Sequence, residues 1–456
     1  MNNGGNMIAN LMRRREFAYS EVYCHPLIEG MAFGPNGNIK PELAPEIATF
    51  CKNESNCTLF LPDGTWFTTW SQGSYEHALD ERLVFATSRD MGRTWTAPQI
   101  ITRSTREERR AYAVPFLVPD TNRIYFFYHA GNQAGGWNDP LYDSGNLWFI
   151  HSDDHGATWS ERIRVDLPER DINIFPDRFH GWLNHPPQIM PEGDVILPVT
   201  HYQRTGLQRR NWMLIPAEVS VIRCDNILTE TDPAKLRFSL WPAGPRGIRV
   251  DAWKHRDNAA LTRHLKAFDG LPEQSAFNVQ EMTVVPLAGG RWLGVGRTFL
   301  GAPGYTVSAD RGQTWTPVEP LRYGPDGDPI RHPMTMSPIA RTSDGRIILL
   351  FTNNDGSQRG AKHLWDGNGR TRNPQWFAVG REIPGERDNA GLVFGRPRIL
   401  ADVDDSGEAN LKTGISMPQF FERDGRFFVC YNINKEHILL DEIAAAVLDE
   451  MTPGIG

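Results

Sequence analysis

The chain has 456 residues, of which 40% are hydrophobic and 23% are charged, so it is long enough to bury a large core. Its 42 glycines and 33 prolines are spread along the sequence, which favours many short strands joined by turns over long helices. The formal net charge of −7 argues against nucleic-acid binding, and no apolar run of about 18 residues suggests a membrane span.

The first predicted element is a strand within 16–26, and six longer segments with a common pattern follow it. Each of the six has an apolar strand, a polar turn that often contains Asp-Gly, and a second apolar strand, which is typical of a β-hairpin. The six segments are 56–70, 113–128, 185–199, 282–296, 336–351 and 417–431.

Six similar hairpins along one chain predict an all-β fold, a six-bladed β-propeller of four-stranded antiparallel blades. Seven blades are the less favoured alternative, because 210–275 is long and irregular. We expect residues 1–45 to form an N-terminal tail whose strand closes the ring against the last blade. Residues 46–450 are expected to form a single propeller domain.

A shorter motif, S-x-D-x-G-x-T-W, occurs three times, at 88–95, 152–159 and 308–315. It describes a tight turn in which Asp binds the backbone, Gly supplies a positive φ and Trp packs between sheets. This motif is the Asp-box, and through it the chain resembles the sialidase-like, BNR-repeat β-propeller superfamily over about residues 50 to 435. The motif is structural and sits at the blade periphery, so we assign it no chemistry.

The resemblance implies a carbohydrate-active enzyme whose site lies where the inner strands begin, at one mouth of the central channel. In sialidases one of these strands carries a glutamate, and an arginine follows sixteen positions later. Glu281 and Arg297 match both positions and the spacing. By resemblance, Glu281 would activate the nucleophile and Arg297 would bind a sugar carboxylate. The alternative is a structural salt bridge that closes the channel mouth.

Other polar residues lie near the starts or ends of the predicted inner hairpins. His185 and Tyr112 are candidate catalytic residues, because a His or a Tyr can act as acid or base. Asn184, Arg331 and His129 are candidate substrate-binding residues.

The chain departs from the sialidase pattern at two positions. Sialidases open the first blade with an arginine before a proline, and this chain has Glu54-Ser55-Asn56 there. They open the last blade with a nucleophilic tyrosine, and this chain has Ser416-Met417. Hydrolysis of a glycosidic bond in an acidic glycan is therefore the first hypothesis. A uronate-specific lyase that acts by β-elimination is the alternative, and a non-catalytic carbohydrate-binding propeller is the second alternative.

The sequence contains no His/Asp cluster with metal-ligand spacing, so we expect no required cofactor. A structural calcium ion is conceivable at the polar turn 353–357. The expected partner is an acidic carbohydrate, with neither nucleic acid nor membrane, and the oligomeric state is open. Five scattered cysteines without a CxxC pair, and an N-terminus without an apolar signal core, favour a cytoplasmic location.

Overall fold

The computed structural model describes residues 8–9, 11–24, 52–76, 78–134, 141–173, 175, 177–202, 216–251, 254–267, 278–355, 371–404 and 414–454. These residues form six antiparallel sheets, which are the blades of a six-bladed β-propeller. The predicted fold is confirmed. The described parts of 210–275 contain no additional sheet, so they hold no seventh blade.

The N-terminal segment supplies two strands, β1 (Met12–Arg14) and β2 (Ala18–Cys24). Blade one has β3 (Lys52–Phe60), β4 (Trp66–Gly73), β5 (Arg82–Ser88) and β6 (Gln99–Arg103). Blade two has β7 (Glu108–Leu117), β8 (Ile124–Asn132), β9 (Gly145–Ser152) and β10 (Ile163–Arg164). Blade three has β11 (Gly181–Trp182), β12 (Gln188–Ile189), β13 (Val195–Tyr202), β14 (Ala217–Cys224) and β15 (Phe238–Trp241).

Blade four has β16 (Gln280–Leu287), β17 (Arg291–Arg297), β18 (Gly304–Ser308) and β19 (Glu319–Pro320). Blade five has β20 (Ile339–Arg341), β21 (Ile347–Phe351), β22 (Gln375–Glu382), β23 (Leu392–Phe394) and β24 (Arg398–Val403). Blade six has β25 (Ile415–Arg423), β26 (Arg426–Ile433) and β27 (His437–Ile443). The described helical segments are α1 (Ala259–Ala267), α2 (Ala445–Met451) and the short 3-10 turns Pro233–Lys235, Ala288–Gly290 and Asp388–Gly391.

The two ends of the chain close the ring. Strand β2 pairs antiparallel with β27 and is the outer strand of blade six, while β1 pairs with β24 at the edge of blade five. Such pairing covers sheet edges that would otherwise offer unpaired backbone groups. Residues 25–50 lie outside the described part of the chain, so the predicted division at residue 45 stays a prediction.

The hydrophobic core is divided into clusters that lie between neighbouring blades. Trp66 and Trp70 of blade one belong to one cluster with Phe428 of blade six, and Phe127 of blade two belongs to another with Leu197 of blade three. Because each sheet has a neighbour on both faces, central strands such as β4, β13 and β21 are buried along their whole length. None of the described helices is long and apolar enough to cross a membrane.

The three Asp-boxes lie in the turns after β5, β9 and β18, in blades one, two and four. In the first, the Ser88 hydroxyl accepts a hydrogen bond from the Gly92 amide at 2.8 Å. The Asp90 carboxylate accepts bonds from the Thr94 amide and hydroxyl at 2.9 and 2.6 Å. The other two copies repeat this geometry. Their tryptophans are half-buried, because each packs against the rim of an inter-blade cluster.

Candidate active site

Four inner strands carry the same irregularity close to their first residue. Ser55, Tyr112, Glu281 and Met417 have φ values of 58°, 54°, 51° and 52°, and the strand register shifts at each of them. A bulge of this kind changes the direction of the side chains around it. These four bulges lie around one mouth of the channel. The charged residues described next lie at the same mouth.

Glu281 and Arg297 form a buried ion pair at this mouth. The Arg297 Nη1 lies 3.0 Å from the Glu281 Oε2, and Gln280 pairs directly with Arg297 across the β16–β17 hairpin. The sixteen-residue spacing thus brings the two side chains together through the hairpin. Asn184 Nδ2 lies 3.4 Å from the other carboxylate oxygen of Glu281. The structure brings these three sequence candidates together.

A second arginine at this mouth was not found by the sequence analysis. Arg372 is partly buried just before β22, and its charge interacts with Arg297 and Glu281. Burial, and then the charge of Arg297, lower the pKa of Arg372 below its usual value. Among the described residues no carboxylate lies within ion-pair distance of its guanidinium. Because the sequence candidates come from the starts and ends of the inner hairpins, a residue just before a third strand was not among them.

Lys435 joins two carboxylates of blade one. Its Nζ lies 2.7 Å from Glu54 Oε2 and 2.7 Å from Glu76 Oε2. Burial lowers the pKa of Lys435, but the charges of Glu54 and Glu76 outweigh it, so the pKa is raised. Glu54 and Lys435 are almost fully buried, whereas 29% of the Glu76 side chain is exposed. Glu76 is therefore the member of this group that solvent or a ligand reaches first.

Tyr112 lies beside a buried ionic network in blades one and two. Arg109 contacts Glu81 at 2.7 Å and Asp143 at 3.1 Å, and Asp143 also accepts a hydrogen bond from the Tyr202 hydroxyl at 2.8 Å. The Arg109 guanidinium stacks 4.8 Å from the centre of the Tyr112 ring. Burial raises the pKa of Tyr112 well above its usual value, so its phenol stays protonated.

His129 lies next to the same network, and Arg331 lies apart from the charged mouth. The His129 Nδ1 is 3.8 Å from Asp143, and burial lowers the pKa of this buried imidazole. Arg331 is exposed, and its charge acts on Tyr323 in the connection between blades four and five. No described contact joins Arg331 to Glu281 or Arg297.

His185 is separated from the Glu281 carboxylate. Its ring hydrogen-bonds the backbone of Glu281, but it lines a cavity at the opposite end of the channel. Burial lowers the pKa of His185 to about 4, so the ring is neutral near pH 7. Asn184 and His185 are consecutive in an irregular segment between β11 and β12, and their side chains contact different surroundings. The sequence search did not distinguish the two directions.

The described residues contain no group of three or more His, Cys, Asp or Glu arranged to hold a metal ion. Of the candidate calcium turn, residues 356 and 357 lie outside the described part of the chain. Asn353, its first residue, has its side-chain oxygen 3.5 Å from the hydroxyl of Tyr323.

The repeated blades and their turns match a known family. The model of the BNR repeat-like domain family covers residues 64–382. The chain belongs to this family. One similar protein is a sialidase of Paraclostridium sordellii, with 26% identity over 30% of this chain and 37% of that protein. Another is a sialidase of Clostridium perfringens, with 26% identity over 34% of this chain and 43% of that protein. The alignment thus spans less than half of these curated relatives.

The fold also resembles solved structures over nearly its whole length. The intramolecular trans-sialidase of Ruminococcus gnavus superposes with a TM-score of 0.57, at 13% identity, over 96% of this chain and 99% of that one. At this level of identity the likeness concerns the fold.

Proposed function

We propose that this protein is a carbohydrate-active enzyme of the glycoside hydrolase type, which cleaves a glycosidic bond in an acidic glycan or oligosaccharide. The observation that carries the proposal is Arg372, whose charge interacts with the Glu281–Arg297 pair but whose guanidinium has no described carboxylate within ion-pair distance. A partly buried cation of this kind is costly unless it is paired. A carboxylate of the substrate would supply the missing partner.

Arginine suits this role because its planar guanidinium can bind both oxygens of a carboxylate at once. Arg297 is held in place by Glu281, so it offers a fixed second cation beside Arg372. The acidic sugar would thus lie against blades four and five. Its glycosidic bond would face the carboxylates of blade one, Glu54 and Glu76.

Cleavage of a glycosidic bond needs a proton donor and a negative charge near the developing positive charge on the sugar ring. We assign proton transfer to Glu76, the more exposed of the two carboxylates that Lys435 joins. Glu281 would stabilise the positive charge from the opposite side. Glu76 would protonate the leaving-group oxygen as the glycosidic bond breaks, and a water molecule would add to the anomeric carbon and return a proton to the Glu76 carboxylate.

The test is a screen of the purified protein against acidic glycans, with reducing ends and the ultraviolet absorbance of unsaturated uronates measured together. We expect new reducing ends without new absorbance. Glu281→Gln should then reduce turnover about a hundredfold or more. The matched control is Glu442→Gln, which breaks a half-exposed ion pair with Arg426 in blade six and should leave turnover unchanged. Full activity of Glu281→Gln would contradict the assignment.

A uronate lyase is the second candidate, and one position favours it. Met417 stands near the start of the inner strand of blade six, where sialidases have the tyrosine nucleophile, and its sulfur lies 3.7 Å from Asn184 Nδ2. β-Elimination needs no such nucleophile, but it does need a cation or an amide beside the uronate carboxylate. New ultraviolet absorbance in the screen would favour this reading, and absence of any product would favour a non-catalytic module.

A further inference from the structure

The end of the channel opposite Glu281 holds a cavity of about 420 Å³. Its walls come mainly from the innermost strands of five blades, including Thr58, Gln188, Thr283, Arg341, Gln419 and Phe421. This volume falls within the range of small-molecule sites, roughly 300 to 1,000 Å³.

The cavity is separated from the charged mouth by side chains that fill the middle of the channel. Asn184 Nδ2 lies 3.6 Å from the Met336 sulfur and 3.7 Å from the Met417 sulfur, and all three residues are buried. A ligand in the cavity would therefore contact different residues from a ligand at Arg372.

The cavity offers no unpaired charge. Arg341 is its one lining residue with a permanent charge, and its guanidinium is ion-paired with Glu382 and bonded to the Pro286 carbonyl at 3.0 Å. His185 also lines the cavity and is neutral near pH 7. Because a buried ion needs a partner of opposite charge, these walls suit an uncharged ligand.

Two amide side chains in the wall are fixed through their nitrogen atoms. Gln419 Nε2 donates to the Asn184 carbonyl at 3.0 Å, and Gln188 Nε2 donates to the carbonyl of Val284. Neither amide oxygen accepts a hydrogen bond from a described residue. Each oxygen is an acceptor of known position, suited to a hydroxyl group.

The cavity wall also contains apolar side chains. Ile189 is 44% exposed, and Phe421, Pro186, Pro286 and Pro338 line the same cavity. A sugar ring has matching chemistry, since its hydroxyl groups donate hydrogen bonds and its ring carbons form an apolar face.

We propose that this cavity is a second carbohydrate site, which binds an uncharged sugar unit. It differs from the proposed cleavage site in chemistry, because it lacks the free cation that would bind an acidic sugar. It would hold a neutral part of a glycan, or a free neutral sugar, without cleaving it.

The test uses ligand-observed NMR with three uncharged probes, methyl β-D-glucoside, methyl β-D-galactoside and methyl α-D-mannoside, and with glucuronic acid as the acidic probe. We expect saturation transfer from the wild-type protein to at least one neutral glycoside. Ala340→Trp fills the cavity from β20 and should abolish that signal. Ala97→Trp, on an exposed segment at the periphery of blade one, is the matched control and should keep it.

Glu281→Gln should also keep the neutral-sugar signal, because the two sites do not share this carboxylate. If Ala340→Trp does not fold, which circular dichroism would reveal, Ile189→Asp places a charge on the exposed rim and should weaken binding instead. The proposal is overturned if no neutral glycoside binds to the wild-type protein. It is equally overturned if the folded cavity variant binds as well as the Ala97→Trp control.

Discussion

The two ends of the central channel are built from the same inner hairpins but have opposite chemistry. At the mouth, Glu54, Glu281, Arg297 and Lys435 are buried and held in ion pairs. At the far end, the cavity walls are uncharged apart from Arg341, which is half-exposed and paired.

The bulges explain how one strand can serve both ends. At a bulge such as Glu281, the pairing register of the inner strand with the next strand shifts. The side chains before the bulge therefore need not continue the alternation between channel and core that the side chains after it follow. After the bulge the inner strand alternates between the channel and the inter-blade core, which leaves only small or neutral side chains facing inward. At or just before the bulge, the charged side chains of Glu54 and Glu281 reach the mouth. Chemistry is thus concentrated where regular pairing is interrupted.

The largest effect that we expect comes from breaking the ionic network at the mouth. Arg109→Met would leave Glu81 and Asp143 buried without their cation, since Arg109 contacts both. Removal of one partner from a buried charged group costs about 3 to 5 kcal/mol, and the free energy of unfolding should fall by that amount. Urea denaturation followed by tryptophan fluorescence would measure it.

The matched change at the far end is Arg341→Met. Arg341 is half-exposed, so solvent already screens its pair with Glu382, and the expected loss is about 1 kcal/mol or less. An equal loss of stability in both variants would contradict the contrast between a buried charged mouth and an open, uncharged cavity.

The next effect concerns activity. Arg372→Gln keeps a polar side chain but removes the charge that we assign to the substrate carboxylate. A hydrogen bond to a charged group contributes about 1.5 to 3 kcal/mol, so kcat/KM should fall roughly ten- to a hundredfold on the substrate found in the screen.

Arg331→Gln is the informative control for Arg372, because Arg331 was selected from the sequence and is exposed in the structure. We expect its kcat/KM to match that of the wild-type protein. If the Arg331 variant lost activity and the Arg372 variant did not, Arg331 would be the residue that binds the substrate carboxylate. The assignment of that role to Arg372 would then be wrong.

The sequence predicts those features that are local. An Asp-box closes its turn within eight residues, so the motif at 88–95 contains all the side chains that form it. The proximity of Glu281 and Arg297 could also be predicted, because both belong to one hairpin, in which Arg297 pairs with Gln280. The number of blades follows from counting such hairpins.

Contacts between residues that are far apart in the sequence could not be predicted from such local patterns. Lys435 and Glu76 meet across more than three hundred residues, and Arg372 reaches the mouth from a third strand. Their convergence depends on ring closure, which fixes which blades are neighbours. His185 shows the complementary difficulty, because the direction of its side chain depends on the conformation of an irregular segment between β11 and β12.

The last prediction tests the charged mouth through its pH dependence. Burial, and then the charge of Lys435, lower the pKa of Lys52 from its usual 10.5 to about 8. Between these two values the unfolded chain binds more protons than the folded protein, so the free energy of unfolding contributed by Lys52 rises with pH. From pH 8 to pH 10 the wild-type protein should gain about 1 to 3 kcal/mol relative to Lys52→Met. Urea denaturation at a series of pH values would measure this gain, with Lys235→Met, an exposed lysine, as the control. Parallel plots of the free energy of unfolding against pH for the wild-type protein and Lys52→Met would contradict this prediction. Lys52 would then be charged in the folded state as easily as in water, and the mouth would be more hydrated than its burial indicates.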